Sequence, residues 1–570
     1  MEQLKPTNLK PWLKLWGENL PKEQEAETTI YDFIYKRNEH GMDKTALLYF
    51  DCPITYRQVF EEINKSALAF SALGVKKGDI VTICSVMTPE TIYAFYALDL
   101  LGAVANMVDP RTSAEGFREY INEVDSKVVC TLDLVYDKMI EGIKGTNVTA
   151  LVTMSPADSI RGIKKVLYNL THKKPGKGVK GVMTWDQFIA NGKSVKKITP
   201  VPYDPTHACV ICHTGGTTGF PKGVLLSDKN LNALALQMAV NRFAPDQLGL
   251  NIMPPFIAYG YGNGVHLPFY ASSVIVLIPN FDPKDFGKLL KKYKPHHTAG
   301  VPQHYQGLAN DKSLDGVDLS FLVSTGCGGD GISTGAEEAV NKFFKEHNAK
   351  YPLCKGYGMT EVSSAISACV GNINKLGSVG IPLHLTTVGI FKEGTDEELG
   401  FNELGEICVT GPNVMLGYYN LPEETAKVKL RHRDGQEWVH TGDVGYLDEE
   451  GYLFIKSRIK RVIIRHDGFK VFPTAIENVI SRDRDVKSSC AVGIRDTAHD
   501  QGLLPKAYIE VKDNCTKTRE EVLAEVKKLC HKDLAEYVVP VEYEVIEKMP
   551  YTPIGKIDYR KLEEMAQQNA

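Results

Sequence analysis

A run of glycine and threonine residues near the middle of the chain has the composition of a phosphate-binding loop. The segment His213-Thr-Gly-Gly-Thr-Thr-Gly-Phe-Pro-Lys-Gly223 follows an apolar run and precedes a helical pattern with Ser227 or Asp228 as its N-cap. Glycines let backbone N–H groups converge on an anion, threonines add hydroxyl donors, and a lysine adds positive charge. The residues expected to contact phosphate are Thr214, Gly215, Gly216, Thr217, Thr218, Gly219 and Lys222.

Two other interpretations of this region are less favourable. A Walker A loop ends in Gly-Lys-Ser/Thr, whereas here Pro221 precedes Lys222 and Gly223 follows it, so the usual hydroxyl ligand for Mg²⁺ is missing. Cys209-Val-Ile-Cys212-His213 has the spacing of covalent haem attachment, but it lies in an apolar run that is typical of a buried strand. Without a second cysteine pair at metal spacing, it is also weak evidence for zinc. We therefore expect a strand that leads into an anion-binding turn.

The sequence TGGTTGFPKGV, which begins at Thr214, closely resembles the phosphate-binding signature of the adenylate-forming superfamily. This superfamily comprises acyl- and aryl-CoA synthetases, peptide-synthetase adenylation domains and beetle luciferases, and the chain looks most similar to the CoA ligases. Gly216 departs from the pattern, since many members have Ser or another small residue there. The resemblance implies an enzyme that uses ATP and Mg²⁺ to convert a carboxylic acid into an acyl-adenylate. The acyl group then passes to a thiol, with coenzyme A as co-substrate.

Further signatures of the superfamily appear downstream in the order that the resemblance requires. Gly356-Tyr357-Gly358-Met359-Thr360-Glu361 resembles its aromatic-and-acid signature, in which the tyrosine stacks on adenine, the threonine contacts the α-phosphate and the glutamate binds Mg²⁺. An aromatic face suits a purine, and a carboxylate suits a hard cation. Upstream, Gly326, Cys327 and Gly328 are similar to the small-residue loop that lies along adenine and the acyl-adenylate.

Three later segments continue the resemblance. Asp443, in His440-Thr-Gly-Asp, matches the residue that accepts hydrogen bonds from the ribose hydroxyls, and Arg458 matches the arginine that reaches the ribose or the phosphates. Lys460 falls at the hinge of the family. Lys556, in Pro-Ile-Gly-Lys, matches the lysine that bridges the substrate carboxylate and the α-phosphate, which is an electrostatic role. The catalytic residues implied are Lys556, Thr360 and Lys222.

The elements that must position these residues follow from the apolar pattern. Runs rich in β-branched residues alternate with helical patterns over most of the chain, which predicts βαβ units and parallel sheets. The resemblance implies a large α/β N-terminal domain of layered sheets and helices, residues 1–456, and a smaller mobile α+β domain, residues 461–570. A hinge at 457–460 joins them, and the active site is expected between them.

A Lys-rich insert is expected at about residues 155–185 of the large domain. Ile160, Ile163 and Val166 recur there at helical spacing beside basic residues, so a short helix could lie on a membrane surface. A solvated helix that docks its apolar side on the protein is the favoured alternative. No stretch approaches the roughly 20 apolar residues of a membrane-spanning helix.

Length, charge and cysteine usage exclude several classes of protein. A chain of 570 residues exceeds what one hydrophobic core usually organises, so we expect several domains. Its formal net charge of −4 gives no global basic field for binding nucleic acid. The N-terminus has Pro and charged residues where a secretory signal needs an apolar core, and the 12 cysteines are dispersed along the chain. These features favour a cytoplasmic enzyme.

The substrate acid is harder to predict, because the acyl pocket lies outside the signatures. Ile257 stands where many CoA ligases have the histidine of a Pro-x-Phe-His segment. Amino-acid-activating members carry an Asp nearby, and no acidic residue occurs from Asn251 to Tyr270. A medium- or long-chain aliphatic or an aromatic carboxylic acid is therefore favoured. The residues expected to line the acyl pocket are Ile257, Tyr259 and Gly326.

The thiol acceptor is predicted from the small domain. Gly468 is expected to line a thiol tunnel, and Arg465, or alternatively Lys470, to contact the phosphates of coenzyme A. Asp467 departs from plant-type ligases, which place a lysine before that glycine. No carrier-protein domain follows before Ala570, which favours free coenzyme A. Two alternatives stay open: a stand-alone adenylating enzyme that loads a separate carrier protein, and a nucleotide-binding protein without catalysis.

Overall fold

The structure is a computed structural model that describes residues 5–18, 20–160, 165, 168, 181–214, 221–240, 243–499, 501–552 and 556–568. The strands in these residues form five sheets, three in the larger N-terminal part of the chain and two in the C-terminal part. The predicted alternation of strands and helices is confirmed, because the strands at the centre of the first two sheets pair in parallel.

The first sheet carries most of the segments expected to bind the nucleotide. Its strands, in spatial order, are Ile381–Pro382, Ser367–Ala368, Cys354–Tyr357, Ser324–Cys327, His297–Gly300, Leu248–Asn251, Val274–Leu277, Thr45–Tyr49 and Cys52–Thr55. Ser324–Cys327 and Cys354–Tyr357 are parallel neighbours, with Gly326 opposite Cys354. Because the carboxyl ends of parallel strands meet at one edge, the loops that begin at Gly328 and Gly358 lie side by side.

The second sheet carries the strand that enters the phosphate loop. Its strands, in spatial order, are Gly417–Tyr418, Gly223–Ser227, Ala208–His213, Val104–Val108, Ile80–Cys84, Val128–Leu132, Ala150–Met154 and Val182–Thr184. Cys209 and Cys212 are buried in the strand Ala208–His213, and burial raises the pKa of the Cys212 thiol to about 12. The expected buried strand is confirmed there.

The helices of the N-terminal part cover these sheets. They are Pro6–Leu9, Leu13–Trp16, Ile30–Asn38, Tyr56–Ala72, Pro89–Leu100, Ala114–Glu123, Tyr136–Gly142, Trp185–Asn191, Asp228–Ala239, Leu267–Tyr270, Phe286–Tyr293, Pro302–Ala309, Thr334–Glu346 and Pro422–Val428. Every residue of Pro89–Leu100 is buried, including Glu90 and Asp99, because the apolar residues are spread around the whole helix. Ser227 caps the helix Asp228–Ala239 by accepting a hydrogen bond from the Asn230 N–H, which confirms the predicted N-cap.

The third sheet is antiparallel and leads into the C-terminal part. It consists of Thr387–Phe391, Gly405–Thr410, Glu437–Leu447 and Lys429–Arg431, with Leu453–Arg458 paired to Glu437–Leu447. The register of this last pair sets Asp443 directly opposite Arg458. Two residues that the sequence assigns to the nucleotide are thus held together by the backbone of one hairpin.

The C-terminal part has its own sheets and its own core. Its strands are Ile463–Ile464, Lys470–Val471, Val486–Arg495, Leu503–Val511 and Glu542–Ile546, and its helices are Pro473–Ile480, Arg519–Asp533 and Tyr559–Gln568. A cluster of buried apolar residues, among them Ile476, Ala507 and Val526, fills the space between them. The helix and strands predicted here are confirmed, while the boundary at 457–460 stays a prediction.

Two expectations concern membranes. Most of the Lys-rich insert predicted at 155–185 lies outside the described residues, so its helix stays untested. In the described part of the chain, no helix combines the length and the apolar character that crossing a bilayer requires.

A buried ion pair holds the helix Thr334–Glu346 against the strand Cys354–Tyr357. Lys355 Nζ lies 2.5 Å from Glu337 Oε1, and the two side chains are 4% and 1% exposed. Glu337 Oε2 also accepts a hydrogen bond from the Gly377 N–H at 3.1 Å. Removing one partner of a buried pair leaves an uncompensated charge, which is strongly destabilising.

We therefore expect Lys355→Met to lower the free energy of unfolding by about 3–5 kcal/mol, measured by urea unfolding of the whole chain. The matched control is Lys342→Met, because Lys342 pairs with Glu346 on the same helix but is 77% exposed. That control should stay within about 0.5 kcal/mol of the wild type. Equal losses in the two variants would contradict the structural importance of the buried pair.

Candidate active site

A cleft of about 2500 Å³ lies between the N-terminal and C-terminal parts of the chain. It collects most of the residues that the sequence assigned to the nucleotide and the acid. Those that line it are Thr214, Ile257, Tyr259, Gly326, Cys327, Gly328, Gly356, Tyr357, Gly358, Met359, Thr360, Glu361, Asp443, Arg458 and Lys556. The predicted phosphate contacts Gly215, Gly216, Thr217, Thr218 and Gly219 lie outside the described residues.

Asp443 is the centre of a buried polar contact in this cleft. Its Oδ2 accepts a hydrogen bond from the Tyr357 hydroxyl at 2.6 Å, and its Oδ1 lies 3.0 Å from Arg458 Nε. Burial raises the pKa of the Asp443 carboxyl, and the Arg458 guanidinium opposes that shift. Tyr357 and Asp443 are 86 residues apart, so the tertiary fold alone brings the two predicted nucleotide ligands into contact.

The Lys222 side chain pairs with Glu424, a residue that the sequence did not indicate. The Thr214 N–H donates to the Lys222 carbonyl at 3.0 Å, and the Lys222 N–H donates to Thr214 Oγ1 at 3.2 Å, which closes the base of the loop. The Lys222 ammonium donates to the Glu424 carboxylate and lies 4.9 Å from the centre of the Tyr418 ring. Hydrogen bonds from Lys222 and Lys427 lower the pKa of Glu424 to about 2. An incoming phosphate must therefore compete with Glu424 for Lys222.

Glu361, the expected Mg²⁺ ligand, is buried at the end of the cleft that lies near Lys222 and Tyr418. Its Oε1 accepts a hydrogen bond from the Tyr418 hydroxyl at 2.7 Å. Its carbonyl accepts one from the Met415 N–H at 2.9 Å, which fixes the short turn Thr360–Val362. Tyr418 thus contacts both Glu361 and Lys222, and it is a site residue that the motifs did not reveal.

Lys556 reaches the cleft from the C-terminal part. Its N–H donates to Thr552 Oγ1 at 3.1 Å, and its carbonyl accepts from the Thr552 N–H at 2.7 Å, so two hydrogen bonds tie Lys556 to Thr552. Burial lowers the pKa of the Lys556 ammonium, and the carboxylate of Asp330 opposes that shift. Asp330 lines the cleft directly after the small-residue loop and was not predicted.

The residues expected to meet coenzyme A are absent from this cleft. Among the described residues, neither Arg465 nor Gly468 lines it; both belong to the hairpin formed by Ile463–Ile464 and Lys470–Val471. The Arg465 guanidinium donates to Asp467 Oδ2 at 3.1 Å and to the Tyr537 carbonyl at 3.3 Å. Lys460 is exposed in the short turn Ile459–Arg461 that precedes this hairpin. In this arrangement Lys556, not the hairpin, faces the nucleotide residues.

The wall of the expected acyl pocket begins at Tyr259. Its hydroxyl donates to the carbonyls of Gly326 at 3.2 Å and Gly300 at 3.3 Å. A Cβ atom at Gly326 would meet the Thr298 carbonyl oxygen at 3.2 Å and the Tyr259 hydroxyl at 3.6 Å, so glycine lets this wall pack closely. The same cavity continues past residues that no motif contains. They include Phe243, Met253, Asn263, Leu267, Pro268 and His297.

Comparisons with known proteins identify the family of the chain. The family model of the AMP-binding enzyme matches residues 34–419, and that of the AMP-binding enzyme C-terminal domain matches residues 475–556. A long-chain-fatty-acid–CoA ligase of Bacillus subtilis (strain 168) is 31% identical over 572 residues, which covers 98% of this chain and 99% of that protein. A probable 4-coumarate–CoA ligase 1 of Dictyostelium discoideum is 31% identical over 82% of each chain.

Solved structures show the same fold. The anthranilate CoA ligase AuaEII in complex with anthranoyl-AMP aligns with a TM-score of 0.82 at 20% identity, over 96% of this chain and 99% of that one. ATP-bound MatB from Rhodopseudomonas palustris aligns with a TM-score of 0.80 at 21% identity, over 95% and 99%. The predicted large α/β domain with a small C-terminal domain is confirmed. The chain belongs to the AMP-binding enzyme family, the adenylate-forming superfamily that its motifs resemble, and is an AMP-forming acid–thiol ligase.

Proposed function

We propose that the chain is an ATP-dependent carboxylate–CoA ligase for a medium- or long-chain aliphatic or an aromatic acid. The observation that carries this proposal is the convergence of Tyr357, Asp443, Arg458 and Lys556 in one cleft. The names of the relatives, a fatty-acid ligase and coumarate ligases, support this range of acids. The cavity beyond Tyr259 is lined largely by apolar and aromatic side chains, which also suits such a chain or ring.

The nucleotide site has the groups that MgATP needs. Tyr357 offers an aromatic face to adenine, and Asp443 keeps acceptor capacity for ribose hydroxyls beside its bonds to Tyr357 and Arg458. Glu361 supplies a carboxylate oxygen, which suits the Mg²⁺ that accompanies ATP as substrate. Lys222 supplies a cation that can exchange Glu424 for phosphate oxygens.

In the first half-reaction, a carboxylate oxygen of the acid attacks the α-phosphorus of ATP. A new phosphorus–oxygen bond forms, and the bond to the leaving pyrophosphate breaks. The Lys556 ammonium neutralises the charge of the two reacting anions, and Thr360 and Lys222 hold the phosphates. Lys556 needs no proton transfer for this role, but it must be protonated.

In the second half-reaction, the thiol of coenzyme A displaces AMP from the acyl-adenylate. We propose that the C-terminal part turns about Lys460, which withdraws Lys556 and brings the Gly468 hairpin to the cleft. Arg465 must then exchange Asp467 for a phosphate of coenzyme A.

Ten of the twelve cysteines are buried and all are free, which supports the expected cytoplasmic location.

One assay set tests the proposal directly. The whole chain is incubated with MgATP and a panel of fatty and aromatic acids, with and without coenzyme A. We expect acid-dependent pyrophosphate release and AMP release that depends on coenzyme A. Adenylate that accumulates without thioester would instead indicate loading of a carrier protein, and no pyrophosphate with any acid would contradict an enzymatic function.

Lys556→Ala should abolish adenylation and leave thioester formation from supplied acyl-adenylate largely intact, because the ammonium acts in the first step alone. Pyrophosphate release and thioester yield are measured separately. Lys548→Ala removes an exposed lysine of the same part of the chain and should change neither step. Equal loss of both steps in Lys556→Ala would refute the division of labour.

Adenylation should also lose rate as the pH rises through the pKa of Lys556, because the protonated form neutralises the anions. Burial lowers that pKa, so the decline should begin at a lower pH than an ordinary lysine would give. In Lys556→Arg the remaining activity should lack this decline, because a guanidinium stays protonated. A pH profile of pyrophosphate release measures both variants, and an unchanged alkaline decline in Lys556→Arg would assign it to another group.

Lys460→Pro should impair the second half-reaction more than the first, because proline fixes φ at about −65° at the proposed pivot. Lys460→Ala removes the same charge without fixing φ, and it should affect the two steps alike. Single-turnover rates of adenylation and of thioester formation measure the difference. A proline variant that slows only adenylation would show that the pivot lies elsewhere.

A further inference from the structure

Two histidines and an aspartate meet in the C-terminal part, beside the Gly468 hairpin. His466 lies in the turn of this hairpin, next to Arg465. Asp496 and His499 lie in the connection between the two longest strands of the C-terminal part. None of these three residues lines the nucleotide cleft. They therefore form a group of side chains that the ligase chemistry does not use.

One oxygen of the Asp496 carboxylate contacts both imidazole rings. The Nδ1 atoms of His466 and of His499 each lie 2.9 Å from Asp496 Oδ2. The two rings are stacked, with their centres 3.4 Å apart and their planes 8° from parallel. Ligand atoms that lie about 2.1 Å from an ion of the zinc type are about 3.0–3.4 Å from one another in octahedral or tetrahedral geometry. The distance from each nitrogen to the oxygen is therefore close to that between two ligands of one ion.

The backbone holds this arrangement in place. The Asp496 N–H donates to the Gly502 carbonyl at 3.2 Å, and the Ala498 N–H donates to Asp496 Oδ1 at 3.0 Å, which leaves Oδ2 for the imidazoles. Gly502 has a φ of 105°, and a Cβ atom there would lie 2.3 Å from the His466 backbone nitrogen. This glycine lets the connection lie directly against the hairpin. Carboxylates that bind metals are themselves typically hydrogen-bonded, as Asp496 is here.

Both imidazoles are within reach of solvent. The side chains of His466 and His499 are 28% and 46% exposed, and that of Asp496 is 2% exposed. A hydrated ion can approach from the side of the imidazoles and keep water in its remaining positions, as in sites with three protein ligands. A neutral imidazole carries one proton and one lone pair, so each ring can bind through Nδ1 once its proton is on Nε2. The ion then takes the place of the N–H groups at Asp496.

A second group of ligand-type residues in the C-terminal part is neutralised by a lysine. Asp483, Asp485 and Glu525 bring three carboxylates together. The Lys517 ammonium lies 3.0 Å from Asp485 Oδ2 and 2.5 Å from Glu525 Oε2, so a cation is already present there. Within the described ranges of the chain, no lysine or arginine forms an ion pair with Asp496. Its negative charge is therefore available to a metal ion.

We propose that His466, Asp496 and His499 bind one divalent transition-metal ion of the zinc class, which ties the Gly468 hairpin to the connection that carries His499. Two imidazole nitrogens and one carboxylate oxygen suit such an ion. Mg²⁺, which accompanies ATP, instead prefers oxygen ligands and water. The site is thus separate, in place and in chemistry, from the Mg²⁺ expected at Glu361.

The test measures the Zn²⁺ bound by the whole chain, prepared without a histidine tag, by equilibrium dialysis in excess Mg²⁺ and without ATP. At Zn²⁺ concentrations that fill the wild-type site, His499→Ala and Asp496→Asn should each bind one equivalent less than the wild type. Loss of an outer-shell partner typically costs about 10–100-fold in metal affinity, so loss of a ligand should weaken this site by at least about 10-fold. Urea unfolding midpoints check that the variants remain folded.

His40→Ala is the matched control. His40 also lies beside a carboxylate, with its Nε2 3.6 Å from Glu39 Oε1, but its side chain is 96% exposed. Among the described residues it belongs to no group of three ligands. This variant should bind as much Zn²⁺ as the wild type.

Amide hydrogen exchange measured by mass spectrometry locates the ion. In the wild type, Zn²⁺ should slow exchange in both segments, the one that contains His466 and the one that contains His499, because an ion that joins them restrains both. In His499→Ala it should slow neither. The inference is overturned if His499→Ala binds as many equivalents as the wild type. It is also overturned if Zn²⁺ leaves either segment of the wild type unprotected, because the ion would then be held by a single surface histidine.

Discussion

The hydrogen bond between the Tyr357 hydroxyl and Asp443 joins two of the three sheets that carry residues assigned to the nucleotide. Tyr357 ends a strand of the first sheet, and Asp443 belongs to the antiparallel sheet. Arg458, paired across the hairpin with Asp443, is the last residue of the strand that leads into the C-terminal part. One buried carboxylate therefore fixes the Tyr357 ring, the hairpin of Asp443 and Arg458, and the start of the C-terminal part relative to one another.

Two cations that the sequence assigns to the substrates are paired with carboxylates. Lys222 is paired with Glu424, and Arg465 with Asp467, both near the surface where such pairs contribute little stability. The buried pair of Lys355 and Glu337 behind the cleft has the opposite character, because neither charge has access to water. The two pairs near the surface are therefore free to exchange partners, whereas the buried pair of Lys355 and Glu337 holds the scaffold.

Close backbone approach decides the shape of the cavity. Gly326 lets the strand Ser324–Cys327 lie against Tyr259, and Gly260 and Gly264 let the π-helix Tyr259–His266 pack against Pro254 and Asn251. These close approaches restrict the directions of the few polar groups in the acyl wall. Asn263 is one of them, and its position next to Ser364 connects the acyl wall with the nucleotide segment.

The sequence by itself determined the family, the fold class and the ordered motifs, because binding phosphate, purine and ribose requires particular residue types at short range. Tyr357, Asp443, Arg458 and Lys556 could be named from it, but the contact of Tyr357 with Asp443 could not, since the two residues are 86 positions apart. Tyr418, Glu424 and Asp330 carry no motif, and only the tertiary structure placed them beside Glu361, Lys222 and Lys556. The acyl wall was likewise decided by packing, because apolar residues and glycines look alike in sequence whether they line a cavity or fill a core.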